Sequence, residues 1–226
     1  AKARLLEPLD RRSIAVHHGV LIIGGGLRGM TASLSLANMG FPVHLVERET
    51  ALGGNLSWMR FLLDPREDPR LHLDRLAVAV RNHPNVTVHL GARLTALAGS
   101  VGGFETALTT FGRPVTVRHG AVIVATGAQE ERPNAYRYGA SPLVITQREL
   151  EARLAGGSAP PARTVMIQCV GSRDERHAYC SRICCTQAIK NALRIKDADP
   201  AADVTILYRD VRAYGLREAA YTEARR

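Results

Sequence analysis

Aromatic residues make up only 5% of the 226 positions, with a single Trp, and no block of Lys or Arg interrupts the chain. That combination argues against nucleic-acid binding. Single strands are held by stacked aromatic faces and duplexes by a basic stripe, and neither footprint is present. The net charge of +9 comes from scattered residues, mostly Arg, and reads as a solvated surface, with an acidic partner protein as the other option. No apolar run reaches the eighteen or so residues that a bilayer-crossing helix needs. Residues Ala1 to Arg12 mix charge with Leu and contain no signal-peptide core, so a cytoplasmic protein is expected. No H-x3-H, H-E-x2-H or C-x2-C pair occurs, which weakens zinc-hydrolase and zinc-ribbon readings. The eight histidines are therefore read as ordinary surface or core residues, His177 being the one inside a cysteine loop. The chain begins on Ala and ends on Arg225-Arg226 within a helical pattern, so both ends read as cut.

What is present begins with Val20-Leu21-Ile22-Ile23, a short apolar, β-branched run of the kind buried in parallel sheets. It leads into Gly24-Gly25-Gly26-Leu27-Arg28-Gly29, then a helical pattern through Met30, Leu34 and Ala37 that closes at Gly40. Phe41 to Val46 reads as a second strand ending at Glu47. Gly24, Gly26 and Gly29 form the dinucleotide fingerprint. They permit a tight turn, close approach of backbone to pyrophosphate, and close packing of helix on strand. The helix start offers unpaired N–H groups to phosphates, and Glu47 stands where a carboxylate accepts from ribose hydroxyls.

A loop follows, holding Leu52-Gly53-Gly54-Asn55, and then a helical pattern from Leu71 to Asn82. Val86 to Leu90 alternates as a strand. Phe104 to Leu108 and Val115 to Arg118 read as antiparallel strands about the Phe111–Pro114 turn, and Ala121 to Val124 runs into Ala125-Thr126-Gly127. Ala155 to Pro161 is the best linker candidate. Beyond it come a strand at Thr164 to Gln168, a helix at Cys184 to Ile195 and a strand at Val204 to Tyr208, a second β–loop–α–β unit. That unit has no G-x-G-x-x-G, so no nicotinamide is expected there. Trp58 and Met59 are read as packing residues with flavin-side contact as an option, and Lys190 and Arg194 as a solvated helix face.

The motifs Glu47-Arg48-Glu49, Leu52-Gly53-Gly54 and Ala125-Thr126-Gly127 resemble the FAD-binding domains of disulfide-reductase-like flavoproteins. The resemblance implies FAD rather than NAD(P), with Gly24, Gly26, Gly29, Glu47, Arg48, Gly53, Gly54, Asn55, Ala125, Thr126 and Gly127 around it. Arg48 is also the residue that could meet a 2′-phosphate, and a solvent-facing strand end is the preferred reading for it.

All four cysteines lie within one segment: Cys169, Cys180, Cys184 and Cys185. Such clustering in a chain without secretory features argues for a metal or redox site rather than a disulfide framework. Spacing alone leaves an iron–sulfur cluster, zinc, a redox dithiol and inert thiols open.

The stretches Gln168-Cys169-Val170-Gly171-Ser172-Arg173, Tyr179-Cys180-Ser181-Arg182-Ile183-Cys184-Cys185 and Leu207 to Gly215 resemble the FAD-containing A subunit of heterodisulfide reductase and its bacterial relatives. That resemblance implies a [4Fe–4S] cluster on the four cysteines close to the flavin, and electron transfer onward to partner subunits. Those partners are expected to be disulfide-reducing, ferredoxin-type or quinone-linked. The ferredoxin-like C-x2-C-x2-C-x3-C runs of the family and the returning half of its FAD domain are not found here.

The fold expected is therefore α/β. A Rossmann-type FAD-binding domain over residues 1–154 is followed by a linker at 155–163 and part of a second Rossmann-like domain over 164–226. Two rival functions are a pyridine-nucleotide:disulfide oxidoreductase using a redox dithiol, and a zinc-stabilised binding module without catalysis.

Overall fold

The computed structural model describes Ser13, residues 15–64 and residues 66–226, so the leader reading at Ala1 to Arg12 lies outside the described residues. The chain divides into two compact units. One takes the residues up to Gly54 together with Arg75–Gly127, and the other takes Asn55–Asp74 together with Ala128–Arg226. The stretch from Ala155 to Pro161 joins a helix to a strand inside the second unit.

The first unit is a Rossmann-type sheet. Strands β1 (Val20–Ile23), β2 (Val43–Val46), β3 (Val86–His89) and β7 (Ala121–Val124) are all parallel, in the order β3-β2-β1-β7. Helix α1 (Leu27–Asn38) links β1 to β2, and α2 (Pro69–Asn82) lies between β2 and β3. An antiparallel meander of β4 (Ala92–Ser100), β5 (Gly103–Thr110) and β6 (Arg113–His119) precedes β7.

The two-residue period of the strands divides the sheet's side chains between its two faces. Leu21 and Val46, with Ile23 partly buried, pack against Ala92, Leu108 and Val117 of the meander. Ile22, Leu45 and Met30 are wholly buried. Each such side chain contributes about 1.5–3 kcal/mol of transfer free energy. α1 lies close on the sheet because its third residue is Gly29, where an added Cβ would come within 3.5 Å of Leu45 Cδ1.

The second unit holds α3 (Gln147–Ala155), β8 (Arg163–Ile167), α4 (Cys184–Ala198), β9 (Asp203–Leu207) and α5 (Glu218–Ala224). β8 and β9 are parallel with α4 between them in sequence, a second β–loop–α–β unit. Its core joins Leu150, Met166, Ala188, Ala192, Ile195 and Ala202. A reciprocal capping box starts α3: Thr146 Oγ1 accepts from Glu149 N, and Glu149 Oε2 accepts from Thr146 N. Neither α3 nor β4 is evident from the hydrophobic pattern.

Candidate functional site

In the first unit three segments meet at the carboxyl ends of β1, β2 and β7, the position where open α/β sheets bind ligands. Gly24 has φ +113°, and a Cβ there would lie 2.3 Å from Ala125 O, so the first glycine is required by the chain that follows β7. Gly29 has no room either, because an added Cβ would stand 1.8 Å from Gly24 O. Gly26 differs. It caps the N-terminus of α1 without a side-chain bond, and its nearest neighbour to an added Cβ is Gly54 Cα at 3.8 Å. Its backbone is left accessible to something from outside.

The Leu52–Gly54 loop closes over this helix start. Gly53 N donates to Gly25 O at 2.9 Å, and Gly53 and Gly26 form an isolated parallel bridge. Glu47 is buried, with Oε2 accepting from Gly25 N at 2.7 Å and Oε1 from Glu49 N at 2.9 Å. The carboxylate thus holds the glycine loop as well as standing at the end of β2. Gly25 is the residue that the fingerprint misses. A Cβ there would meet Leu52 Cδ2 at 2.6 Å and Glu47 Oε2 at 3.0 Å. Only the fold reveals this, since Gly25 occupies a free position of G-x-G-x-x-G.

Of the other residues expected here, Thr126 and Gly127 are exposed, Thr126 next to Gly24, while Arg48 pairs with Glu49 at 3.1 Å on the surface. Asn55 falls in the second unit, where Nδ2 donates to Ala128 O and Oδ1 accepts from the Trp58 indole. Trp58 is half-buried, with the Arg148 guanidinium 4.5 Å above its ring. The residues of the first unit fit a dinucleotide: a cradle with no Cβ at Gly26, free helix N–H groups and an anchored carboxylate.

The cysteines lie in the second unit, on the loop after β8 and at the start of α4, and none is in a disulfide. Cys169 has φ +62°, Arg173 +58° and Arg182 +58°, so this loop is held in left-handed geometry at three non-glycine positions. Such geometry costs of order 1–3 kcal/mol per residue and persists where the surroundings dictate it. Arg182 N donates to Cys180 Sγ at 3.3 Å. Burial pushes the Cys185 thiol above its ordinary value, the neighbouring Cys184 and Cys169 raise it further, and the Arg212 backbone N–H opposes them. Cys184 and Cys185 open α4, whose cap residue Ile183 makes no side-chain bond and whose first turn has no acidic residue.

Among the described residues no three His, Cys, Asp or Glu side chains gather as ligands of a single ion. A four-iron cluster makes a different demand, because each thiolate binds its own iron and the sulfurs surround the cluster rather than meet at a point. Four free, soft sulfurs on one loop and one helix start fit that chemistry.

Lys190 departs from the solvated face expected of it. It is buried, as is Glu151, and Nζ donates to Glu151 Oε2 at 2.7 Å and to Phe61 O at 2.9 Å. Glu151 also accepts from Arg60 N, Phe61 N and Gln187 Nε2. Desolvation lowers the Lys190 ammonium more than Glu151 restores it. Burial works to raise the Glu151 carboxyl, but the bonds from Lys190 and the Arg60 and Phe61 backbone outweigh it and leave it low. Arg194 lies 5.0 Å from the Phe61 ring.

Residues 19–67 match the family described as FAD dependent oxidoreductase. The A subunit of the ferredoxin:CoB-CoM heterodisulfide reductase of Methanosarcina mazei is 31% identical over 309 residues, covering 95% of this chain and 39% of that protein. Its counterpart in Methanosarcina acetivorans, from a reductase named as ferredoxin/F(420)H(2)-dependent, is 30% identical, covering 98% and 40%. An iron-sulfur A subunit of the CoB–CoM heterodisulfide reductase of Methanopyrus kandleri is 29% identical, covering 98% and 48%. The chain thus spans less than half the length of each of these relatives. The aligned stretch of 309 positions also exceeds the 226 residues here, so the relative carries residues with no counterpart in this chain. Among solved structures, L-proline dehydrogenase from P. horikoshii aligns with a TM-score of 0.48 at 18% identity, covering 90% of this chain and 37% of that one.

Proposed function

Since this chain is a relative, over nearly its whole length, of the A subunits of heterodisulfide reductases, we propose that it is the flavin- and iron–sulfur-binding part of an electron-transfer oxidoreductase. The observation that carries the reading is the pairing, in one chain, of a glycine cradle open at Gly26 with four free cysteines on a strained loop and a helix start.

Gly24, Gly26, Gly29, Gly53 and Gly54 would receive the pyrophosphate of FAD against the N-terminus of α1, and Glu47 its ribose, with Ala125, Thr126 and Gly127 alongside. Cys169, Cys180, Cys184 and Cys185 would hold a [4Fe–4S] cluster. When bound, FAD supplies two-electron chemistry and the cluster supplies one-electron transfer. The protein's own part is to bind, orient and tune. The uncapped start of α4 would offer unpaired N–H groups near the sulfurs of Cys184 and Cys185, and Arg182 N donates to the Cys180 sulfur. The lack of disulfides suits a reducing compartment such as the cytoplasm. Electrons would leave to other subunits of a complex, of disulfide-reducing, ferredoxin-type or quinone-linked kind.

The test is iron, acid-labile sulfide and flavin per chain in the anaerobically purified full-length parent. A loss of about four irons and four sulfides per chain when all four cysteines are changed to Ser is the expected result. Tight zinc without sulfide, and no flavin, would replace this reading with that of a zinc-stabilised binding module.

A further inference from the structure

The second unit contains a cavity of about 370 Å³, all of whose lining residues belong to that unit. One wall is a flank of α4, where Ile189, Ala192 and Leu193 recur at helical spacing. Another is β9, whose alternate residues Val204 and Ile206 share one face of the strand, and Tyr221 of α5 lines it from a third element. At one end stand Gln168, which follows β8, Tyr208, which follows β9, and Cys185 in the first turn of α4. That end lies beyond the carboxyl ends of two parallel strands, where open α/β sheets take their ligands. Gln168 is the residue that the fold leaves unexplained. Its backbone N–H donates to Leu207 O at 2.9 Å, but its side-chain amide bonds to no described residue, although Gln168 is only 9% exposed. A carboxamide so nearly removed from water costs free energy until a partner bonds it.

We propose that this cavity binds a small uncharged molecule with an apolar body and one carbonyl group, the Gln168 amide donating to the carbonyl oxygen. Aliphatic walls with one free polar group are the usual make-up of a small-molecule site, and the volume lies within the usual range. An amide offers both a donor and an acceptor, so it recognises a neutral polar group without demanding a charge. The charged residues that reach the cavity do not form an anion site. Lys196 Nζ is taken up by the carbonyls of Pro200 and Ala202, the Arg225 guanidinium lies 5.6 Å from the Tyr221 ring, and Asp203 opposes both. A phosphate or carboxylate buried here would lose its hydration without gaining a committed cation. The Cys185 sulfur serves only as part of the wall, so the site stands whether or not the four cysteines hold a cluster.

The experiment is a ligand-observed NMR titration of the full-length protein with two probes. One is tetralone, a bicyclic aromatic ketone, and the other is tetralin, the same carbon skeleton without the oxygen. Tetralone should bind with a dissociation constant of about 1 mM or tighter. The ratio of the two constants isolates the hydrogen bond. Gln168→Leu keeps the bulk of the side chain and removes a buried polar group without a partner, so the fold should hold. In that variant the ratio should shift about tenfold in favour of tetralin, the value of one lost hydrogen bond. An unchanged ratio overturns the role of Gln168 and with it the proposal. Naphthoate, a bicycle of similar size bearing a carboxylate, should bind more weakly than tetralone, and equal or tighter binding overturns the uncharged class. Failure of tetralone to bind, as when residues of the parent outside this chain fill the cavity, overturns the site altogether and leaves the flavin and cluster readings as they stand.

Discussion

Glu151 and Lys190 form an ion pair of 2.7 Å in which both side chains are at most 4% exposed, joining α3 to α4. Such a pair is weak evidence of net stabilisation, since desolvating two charges offsets most of their attraction. Breaking it is another matter. Lys190→Met leaves a buried carboxylate with only the Gln187 amide and two backbone N–H donors, and should cost about 3–5 kcal/mol. Glu151→Gln removes the negative charge and one of the two acceptor oxygens, turns an NH2 group toward donors and leaves Lys190 a buried cation without its counter-charge, and should cost a similar amount. The double variant Glu151→Gln with Lys190→Met should be less destabilised than the sum. Urea unfolding of the four proteins checks this, and strict additivity would show that the pair is not coupled.

The glycines of the cradle separate by role. Gly29→Ala must push a methyl into Gly24 O, where the gap is 1.8 Å, and should destabilise the first unit by about 3 kcal/mol or more. Gly26→Ala has space in the protein without its cofactor, with 3.8 Å to the nearest atom, so its unfolding midpoint should move little. Flavin binding should nevertheless fall at least about tenfold, because the methyl occupies the approach of the phosphates. Fluorescence titration with FAD measures the second effect and thermal unfolding the first. A Gly26→Ala protein that binds FAD normally would exclude this cradle as the phosphate site.

Much of this arrangement is legible in the sequence because its signals are local. The β1 run, the glycines, Glu47 and the Ala121 strand follow from apolar periodicity and punctuation within a few residues. The parts that are not legible depend on partners far along the chain. Lys190 reads as a solvated charge because nothing near it in sequence reveals Glu151, 39 residues away. Gly25 looks replaceable until Leu52 and Glu47 are folded against it. β4 escapes notice because Ala92–Ser100 is rich in Ala and Leu, a composition as suited to a helix, and gains its strand form from pairing with β5. For α3 a signal does exist, the Thr146-x-x-Glu149 box, which marks a helix start more surely than the weak apolar stripe behind it.

His44 on β2 and His89 on β3 predict how the first unit responds to acid. Their ring nitrogens, Nδ1 and Nε2, are 3.1 Å apart and the rings stack at 5.4 Å. Burial lowers both imidazoles, and His44 is lowered further by His89, His119 and His17. In the unfolded chain these groups take protons near pH 6.5, whereas the folded chain resists doing so until lower pH. Their contribution to stability is therefore complete above about pH 6.5 and is lost as pH falls below it toward the depressed folded values. Melting temperatures measured from pH 7.5 to 5 should drop in the native protein and drop less in His89→Gln, which removes one of the two protonations. Equal slopes in the two proteins would show that the pair does not control the acid response.

Glu47 carries two duties that substitution can separate. Its oxygens already accept from Gly25 N and Glu49 N, and each keeps a further lone pair with which a ribose hydroxyl could bond. Glu47→Gln replaces one acceptor with an NH2 group that meets a backbone N–H, donor against donor. The protein without flavin should therefore lose about 1.5–3 kcal/mol, the value of a hydrogen bond to a charged group. FAD affinity should fall further than this loss of loop anchoring alone produces, since the ribose loses its acceptor too. Arg48→Ala provides the contrast: its guanidinium is spent on Glu49 at the surface, so affinity for FAD should stay within about twofold, a difference of under half a kcal/mol. Titrating FAD into both variants, beside urea unfolding of each without flavin, distinguishes the duties. If Glu47→Gln weakened the fold but bound FAD as the parent does, the carboxylate would be a loop anchor and not a ribose acceptor.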